Sequence, residues 1–281
     1  MRIRVAATVL SGAVVLSALA VPVAAQAAER SGAQDGLGSF SAKTVQPKDA
    51  EGNIKFSKGV VNGGKDIVLG TTTNKAVTAT YTATSSSGVA LTVAYLWQGT
   101  DPSNDLTGEL DIDDDPICTE STTQTGVYSC KAVFNINAAK DLKNNGVAGT
   151  WKLALGGWDL YANASFDDNV ATTKIKKASQ LTADATPEPV KKGKTITVTG
   201  KLTRANWNTG AYGGYASQKV ELQFRKKGST TYTNVKAITA GTGGALKTTT
   251  KATVDGYYRF SFATNATTGA STATGDYVDV K

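Results

Sequence analysis

The sequence predicts an all-β protein: two consecutive β-sandwich domains that follow a cleaved signal peptide. Three observations carry this. Thr, Val, Ala and Gly recur in short alternating runs punctuated by turn signals such as "NGG" (62–64), "SSSG" (85–88) and "GTGG" (241–244). The first 27 residues have the form of an export signal, and only two cysteines occur, 12 residues apart. Charge divides the mature chain in two. Residues 28–177 hold 14 basic and 17 acidic residues, net −3, whereas residues 178–281 hold 14 and 6, net +8.

The export signal comes first. "MRIR" supplies two positive charges, "VAATVLSGAVVLSALAV" an apolar run, and "PVAAQA" ends in the small-x-small pattern that a signal peptidase reads, so cleavage is expected before Ala28. No later segment is apolar enough to span a bilayer, and nothing marks a lipid or glycolipid anchor. The mature chain is therefore expected to be secreted and extracellular. Its expected divisions are a signal peptide over 1–27, a polar flexible lead over 28–52, a disulfide-bearing sandwich over 53–177 and a second sandwich over 178–281.

Each strand has a local warrant. "AVTATYTAT" alternates Val77, Ala79 and Tyr81 against threonines, as a half-buried strand requires. "VALTVAYLW" (89–97), "VYSCKAVFNI" (127–136), "GTWKLALGGW" (149–158) and "ATTKIKKAS" (171–179) continue the first domain, with "NAAKDLKNN" (137–145) as a short helical turn. Beyond Leu181, Pro187 and Pro189 forbid helix. Ile196 and Val198, then Val220, Leu222 and Phe224, alternate with polar neighbours, and "TYTNVKAIT", "ALKTTTKATVDGYYRFSFAT" and "GDYVDVK" follow. Strands at intervals of roughly 8 to 12 residues suit a sandwich of about seven strands.

"CTESTTQTGVYSC" reads as a hairpin stapled by a Cys118–Cys130 disulfide, since an exported chain with an even cysteine count and no CxxC pair favours a structural bridge. No histidine occurs anywhere. That excludes Ser-His-Asp and Cys-His chemistry of the usual kind and the common histidine-ligated zinc sites.

Several segments, "ASQLTADATPEPVKKGKTITVTGKLTRANW", "VELQFRKKGSTTY", "VDGYYRFSF", "ATGDYVDVK", "VNGGKDIVLGTT" and "AGTWK", together with the paired cysteines, closely resemble a family of exported proteins of filamentous soil bacteria. Members are often labelled calcium-binding. The resemblance spans most of the mature chain and implies an immunoglobulin-like carboxyl half and calcium as a ligand. No family motif assigns that calcium to individual residues.

Three stretches are candidates for function. "GELDIDDDPIC" gathers Glu109, Asp111, Asp113, Asp114 and Asp115 before Cys118. Calcium takes six to eight oxygens at about 2.3 to 2.6 Å. An extended strand sets Glu109, Asp111 and Asp113 on one face about 7 Å apart, so two of them can share an ion, and a bend before Pro116 would gather more. The other reading is a solvated loop, the usual fate of a charge run. "NWNTGAYGGYA" (206–216) spreads Trp207, Tyr212 and Tyr215 among glycines and amides, the composition of an adaptable binding loop suited to sugar rings. Its alternative is an indole folded back onto the sandwich. The basic turns around Lys191, Lys192, Lys194, Arg225, Lys226 and Lys227 suit an anionic envelope polymer, or else serve as solvated turns.

The expected function is thus a non-catalytic secreted binding or structural protein of the cell envelope, with calcium as its one candidate cofactor and an envelope polymer or polysaccharide as its candidate partner. Nucleic acid is not expected. Carbohydrate binding through the aromatic loop is the alternative. A carboxylate-dependent hydrolase comes third, because Asp167 and Asp168 are adjacent and would point to opposite strand faces.

Overall fold

Threonine alternating with small apolar residues builds long strands that bury one face each. The computed structural model of the chain describes residues 53–281; the export signal and the lead expected over 1–52 lie outside the described residues. The first nine strands are β1 (Lys55–Val61), β2 (Ile67–Leu69), β3 (Asn74–Thr84), β4 (Leu91–Asp101), β5 (Asp105–Asp111), β6 (Ile117–Glu120), β7 (Val127–Asn137), β8 (Gly149–Trp158) and β9 (Ala164–Lys177).

These strands form two sheets, ordered β1-β3-β7-β6 and β2-β9-β8-β4-β5, with β2 parallel to β9 and the other neighbours antiparallel. Four strands facing a layer with β8 between β4 and β9 is the immunoglobulin arrangement. Between the layers, Val77, Ala79, Tyr81 and Ala83 of β3 join Phe134 and Ile136 of β7 in one core with Ala94, Leu96, Leu153 and Leu155 of β4 and β8. Antibody domains bridge their two layers with a disulfide. Here the bridge lies within one layer, since Cys118 and Cys130 are direct cross-strand partners on β6 and β7.

The helical turn is α1 (Ala138–Asp141). Asn137 Oδ1 accepts from the backbone N–H groups of Ala139 and Lys140, both at 3.1 Å, while the Asn137 N–H donates to Asp141 Oδ2 at 2.6 Å. This reciprocal capping satisfies donors that a single turn would leave open.

The second sandwich comprises β10 (Ser179–Leu181), β11 (Asp184–Thr186), β12 (Thr195–Asn206), β13 (Ala211–Gly214), β14 (Lys219–Lys226), β15 (Thr233–Thr239), β16 (Ala245–Lys251), β17 (Gly256–Phe262), β18 (Ser271–Thr272) and β19 (Asp276–Val278). One layer gathers β10, β11, β13 and β16 around β12. The other runs β15-β14-β17, with β18 and β19 both on the far side of β17. Ile196, Val198 and Leu202 face Val220, Leu222, Tyr258, Phe260 and Phe262 in its core.

The two sandwiches meet through side chains from the stretch read above as a ligand loop. Trp207 is only 5% exposed and, with Ala205, belongs to the core of the amino-terminal sandwich. Its indole N–H donates to the Gly70 carbonyl at 2.9 Å, and its backbone N–H to Asn145 Oδ1 at 2.9 Å. Asn145 in turn donates from Nδ2 to Asn206 Oδ1 at 2.6 Å, and from its backbone to Asn208 Oδ1 at 2.9 Å. Gly70 leaves room for this packing. A Cβ on it would lie 2.8 Å from the Tyr212 hydroxyl.

The connecting residues are bound on both sides. Lys177 N–H donates to Thr267 O at 3.0 Å, and its carbonyl accepts from Gly269 N–H at 2.9 Å. The Ala178 N–H donates to Leu69 O, and the Ala178 carbonyl accepts from Ala205 N–H, both at 2.8 Å. Lys176, 3% exposed, pairs with Asp66 at 2.6 Å and donates to Thr264 Oγ1 at 2.8 Å. Burial lowers the Lys177 ammonium to about 8, and Arg204 adds like-charge repulsion.

Two stability outcomes follow from these contacts. Trp207→Ala empties a large buried volume and orphans the Gly70 carbonyl, so urea unfolding should show a loss of roughly 3 to 5 kcal/mol. Replacing both cysteines by serine should cost about 3 kcal/mol through the unfolded chain, read by urea unfolding as a drop from the unaltered chain that disappears when both are measured with reductant.

Candidate functional site

The outward face of the β15-β14-β17-β19 layer carries a row of alternating cations and tyrosines. Strand alternation builds it: Val220 and Leu222 of β14 and Tyr258, Phe260 and Phe262 of β17 turn inward, so Gln223, Arg225, Tyr257 and Arg259 turn outward. Pairing then aligns them, with Arg225 opposite Tyr257, Tyr257 opposite Tyr277, and Gln223 opposite both Arg259 and Asn234.

The Arg225 guanidinium lies 4.0 Å from the centre of the Tyr257 ring and 5.2 Å from that of Tyr232, and Arg259 lies 3.6 Å from Tyr232. Tyr257 and Tyr277 are 5.2 Å apart between ring centres, and the Lys227 ammonium lies 5.4 Å from Tyr277. The row therefore reads Arg259, Tyr232, Arg225, Tyr257, Tyr277, Lys227. Tyr232 reaches it from the loop between β14 and β15, its hydroxyl against Gly275, where any Cβ would collide with it.

Hydrogen bonds fix each cation of the row. Arg225 donates from Nη1 to Ser229 O at 2.6 Å, and Arg259 from Nε to Gln223 Oε1 at 2.9 Å. Gln223 Nε2 donates to Asn234 Oδ1 at 2.8 Å. Lys227 meets Tyr277 Oη at 3.1 Å and Asp255 Oδ2 at 3.4 Å, contacts that raise its ammonium above the ordinary lysine value, with the tyrosine the larger cause. The Val280 backbone N–H, ahead of Tyr277 and Lys227, holds Asp255 below the usual carboxylate range.

Of the basic residues singled out in the sequence, Arg225 and Lys227 belong to this row, and Lys226 is an exposed neighbour. Lys191, Lys192 and Lys194 occupy the exposed turn before β12. Tyr232, Tyr257, Arg259 and Tyr277 were missed. Their signal, alternation in "GYYRFSF" and "GDYVDV", shows which side chains turn outward but not which strands are neighbours.

The aromatic loop is divided by the structure. The indole of Trp207 lies inside the core and offers no face to a ligand, because the neighbouring sandwich supplies both its packing and its hydrogen-bond acceptor. Tyr212 packs on that same core beside Gly70. Tyr215 packs edge-on against Phe262 at 5.8 Å, lies beneath Arg204 at 4.0 Å, and receives a hydrogen bond from Asn265 Nδ2 at 2.9 Å.

The acidic stretch is divided as well. Leu110 enters the core from β5, so Glu109 and Asp111 face outward beside Tyr95 and Trp97, their partners on β4. Trp97 is 1% exposed, covered by Lys152 at 3.9 Å and tied through Nε1 to Asp168 O at 2.6 Å. Burial, then Asp168, Glu109 and Asp111, push the Tyr95 phenol far above its ordinary value. Asp113 lies past the end of β5 and accepts instead from Asn135 Nδ2 of the other layer at 2.8 Å. Asp114 and Asp115 are exposed. Among the described residues no three acidic or thiol side chains group so as to hold a metal ion.

No family model and no curated protein matches the chain. Solved structures similar to it include a marsupial T cell receptor (10% identity, TM-score 0.40, covering 81% of this chain and 73% of that one), the D00-D0 domain of Intimin (17%, 0.26, 80% and 99%) and three N-terminal domains of the bacteriophage RB49 outer capsid protein Hoc (12%, 0.30, 81% and 71%). Likenesses this distant carry nothing about activity or partners. Among the described residues no helix is long and apolar enough to cross a membrane.

One carboxylate on the acidic face titrates unusually. Partial desolvation pushes Asp111 up to about 6 from an ordinary 3.8, and Glu109 adds like-charge repulsion. The folded chain holds this proton more tightly than the unfolded chain. The Asp111 contribution is therefore fully present below about pH 4 and is lost as pH rises through about 6. Asp111→Asn should flatten the melting temperature over that window and raise it slightly at pH 7, the effect being small because the side chain stays in contact with water.

Proposed function

We propose that the chain is a non-catalytic extracellular binding protein that holds an anionic envelope or matrix polymer on the outward face of its carboxyl-terminal sandwich. The cation–tyrosine row carries this reading. Three positive side chains set on tyrosine rings, across neighbouring strands, form a pre-ordered surface rather than a set of freely rotating side chains. The net +8 of residues 178–281 would draw a polyanion toward it. Export of the chain, expected from its first 27 residues, agrees with a disulfide joining β6 to β7.

Two other readings find less support. Sugar binding through Trp207 needs an exposed indole, and this one is enclosed. Hydrolysis needs paired acids in a cleft, whereas Asp167 accepts from the Asn169 N–H at 3.0 Å on an exposed part of β9 and Asp168 holds Trp97 through its backbone.

Retention of the protein on isolated cell wall is the test. Arg225→Ala with Arg259→Ala should lower retention roughly tenfold, while Trp207→Phe, which keeps an aromatic ring at the junction, should be retained like the unaltered chain. Equal retention of the double-arginine variant would overturn the assignment of this face.

A further inference from the structure

We infer that the polymer held on the cation–tyrosine face is an acidic polysaccharide, a chain of sugar rings bearing carboxylates; the inference rests on the binding reading given above. Three kinds of chemistry are interleaved on this face. The first is a set of in-plane donors. A guanidinium stacked on tyrosine uses its flat face and keeps its N–H edge for a partner. Arg225 gives Nη1 to Ser229 O and also meets the Tyr232 and Tyr257 hydroxyls, whereas Arg259 commits Nε to Gln223 and keeps the paired N–H edge of its two Nη atoms, which a carboxylate accepts two at a time.

The second is an amide pair. Gln223 and Asn234 are hydrogen-bonded to each other beside Arg259, and such amides are suited to hydroxyl groups. The third is a run of half-buried rings, Tyr232, Tyr257 and Tyr277, whose apolar bodies suit the C–H faces of sugars and whose hydroxyls suit their O–H groups. A polyphosphate would call on the cations alone. A neutral glycan would call on rings and amides and leave the guanidinium charges unmatched. Only a polymer with sugar rings and carboxylates in alternation uses all three.

Spacing supports the same class. Arg225 and Arg259 both pack near one ring, that of Tyr232, so their charges are no further apart than the sum of their distances to its centre, 5.2 and 3.6 Å. Lys227 extends the positive row past Tyr277. A chain laid along the row thus meets Arg259 and Lys227 at the ends and Arg225 among the rings between them.

The test uses the full mature chain in calorimetric titration with polygalacturonate, with the same polymer after reduction of its carboxyl groups, and with inorganic polyphosphate, all at one ionic strength. Polygalacturonate should bind, and both carboxyl reduction and replacement by polyphosphate should weaken binding roughly tenfold. Arg225→Lys with Arg259→Lys preserves net charge but removes the forked donors, and should weaken polygalacturonate binding about fivefold; Lys143→Ala, an exposed change on the other sandwich, should leave it within about twofold. Melting temperatures of all variants establish that they are folded. Polyphosphate binding as tight as polygalacturonate and lost in the arginine variants would overturn the sugar class while keeping the face. Polygalacturonate binding unchanged in those variants would overturn the face itself. Absence of polygalacturonate binding, with arginine-dependent retention on cell wall intact, would again overturn only the sugar class.

Discussion

The arrangement of the described chain depends on one indole. Trp207 emerges from the end of β12 in the carboxyl-terminal sandwich, yet its ring completes the core of the other one and its N–H is spent on Gly70. Burying an aromatic ring of this size stabilises by several kcal/mol, and the hydrogen bond removes the penalty of enclosing a polar nitrogen. Around it, Asn145 works as a two-sided clamp, receiving the Trp207 backbone N–H while donating to Asn206 and Asn208. Because these contacts join loops far apart in sequence, the connector from Lys176 to Ser179 is held as part of the structure rather than as a free tether.

The candidate face has a different origin. It requires no special loop, only the ordinary alternation of strands whose inward residues are apolar and whose outward residues happen to be Arg and Tyr. Antiparallel pairing of β14, β17 and β19 places guanidinium beside phenol, and the resulting stacks hold long side chains that would otherwise lose more rotamer freedom on binding. The opposite electrostatic character appears on the amino-terminal sandwich, where Glu109, Asp111 and Asp168 surround the buried phenol of Tyr95. Partial desolvation, with Glu109 adding like-charge repulsion, is why Asp111 retains its proton to higher pH than a solvated aspartate.

Much of the architecture was legible in the sequence. "GTWKLALGGW" coincides with β8, Val220 and Leu222 point inward as their alternation requires, and the two cysteines face each other across a hairpin. Half of the acidic pattern held too: Glu109 and Asp111 do share a face, but β5 ends at Asp111, so Asp113 leaves it and turns to Asn135. What could not be read is what non-local pairing decides. A loop of glycine, asparagine and aromatics has the same composition whether its tryptophan meets a ligand or a neighbouring core. Likewise Tyr232 and Arg259 are separated in sequence by β15 and β16, and only the sheet brings them into contact.

The doubly bonded connector has a mechanical consequence. Lys177 gives and receives backbone hydrogen bonds with Thr267 and Gly269 of the carboxyl-terminal sandwich, and Ala178 with Leu69 on one side and Ala205 on the other. If the two ends of such a molecule are pulled apart in flowing medium, the load reaches several of these bonds at once instead of peeling them singly. The hinge that tandem sandwiches ordinarily possess is here a splice.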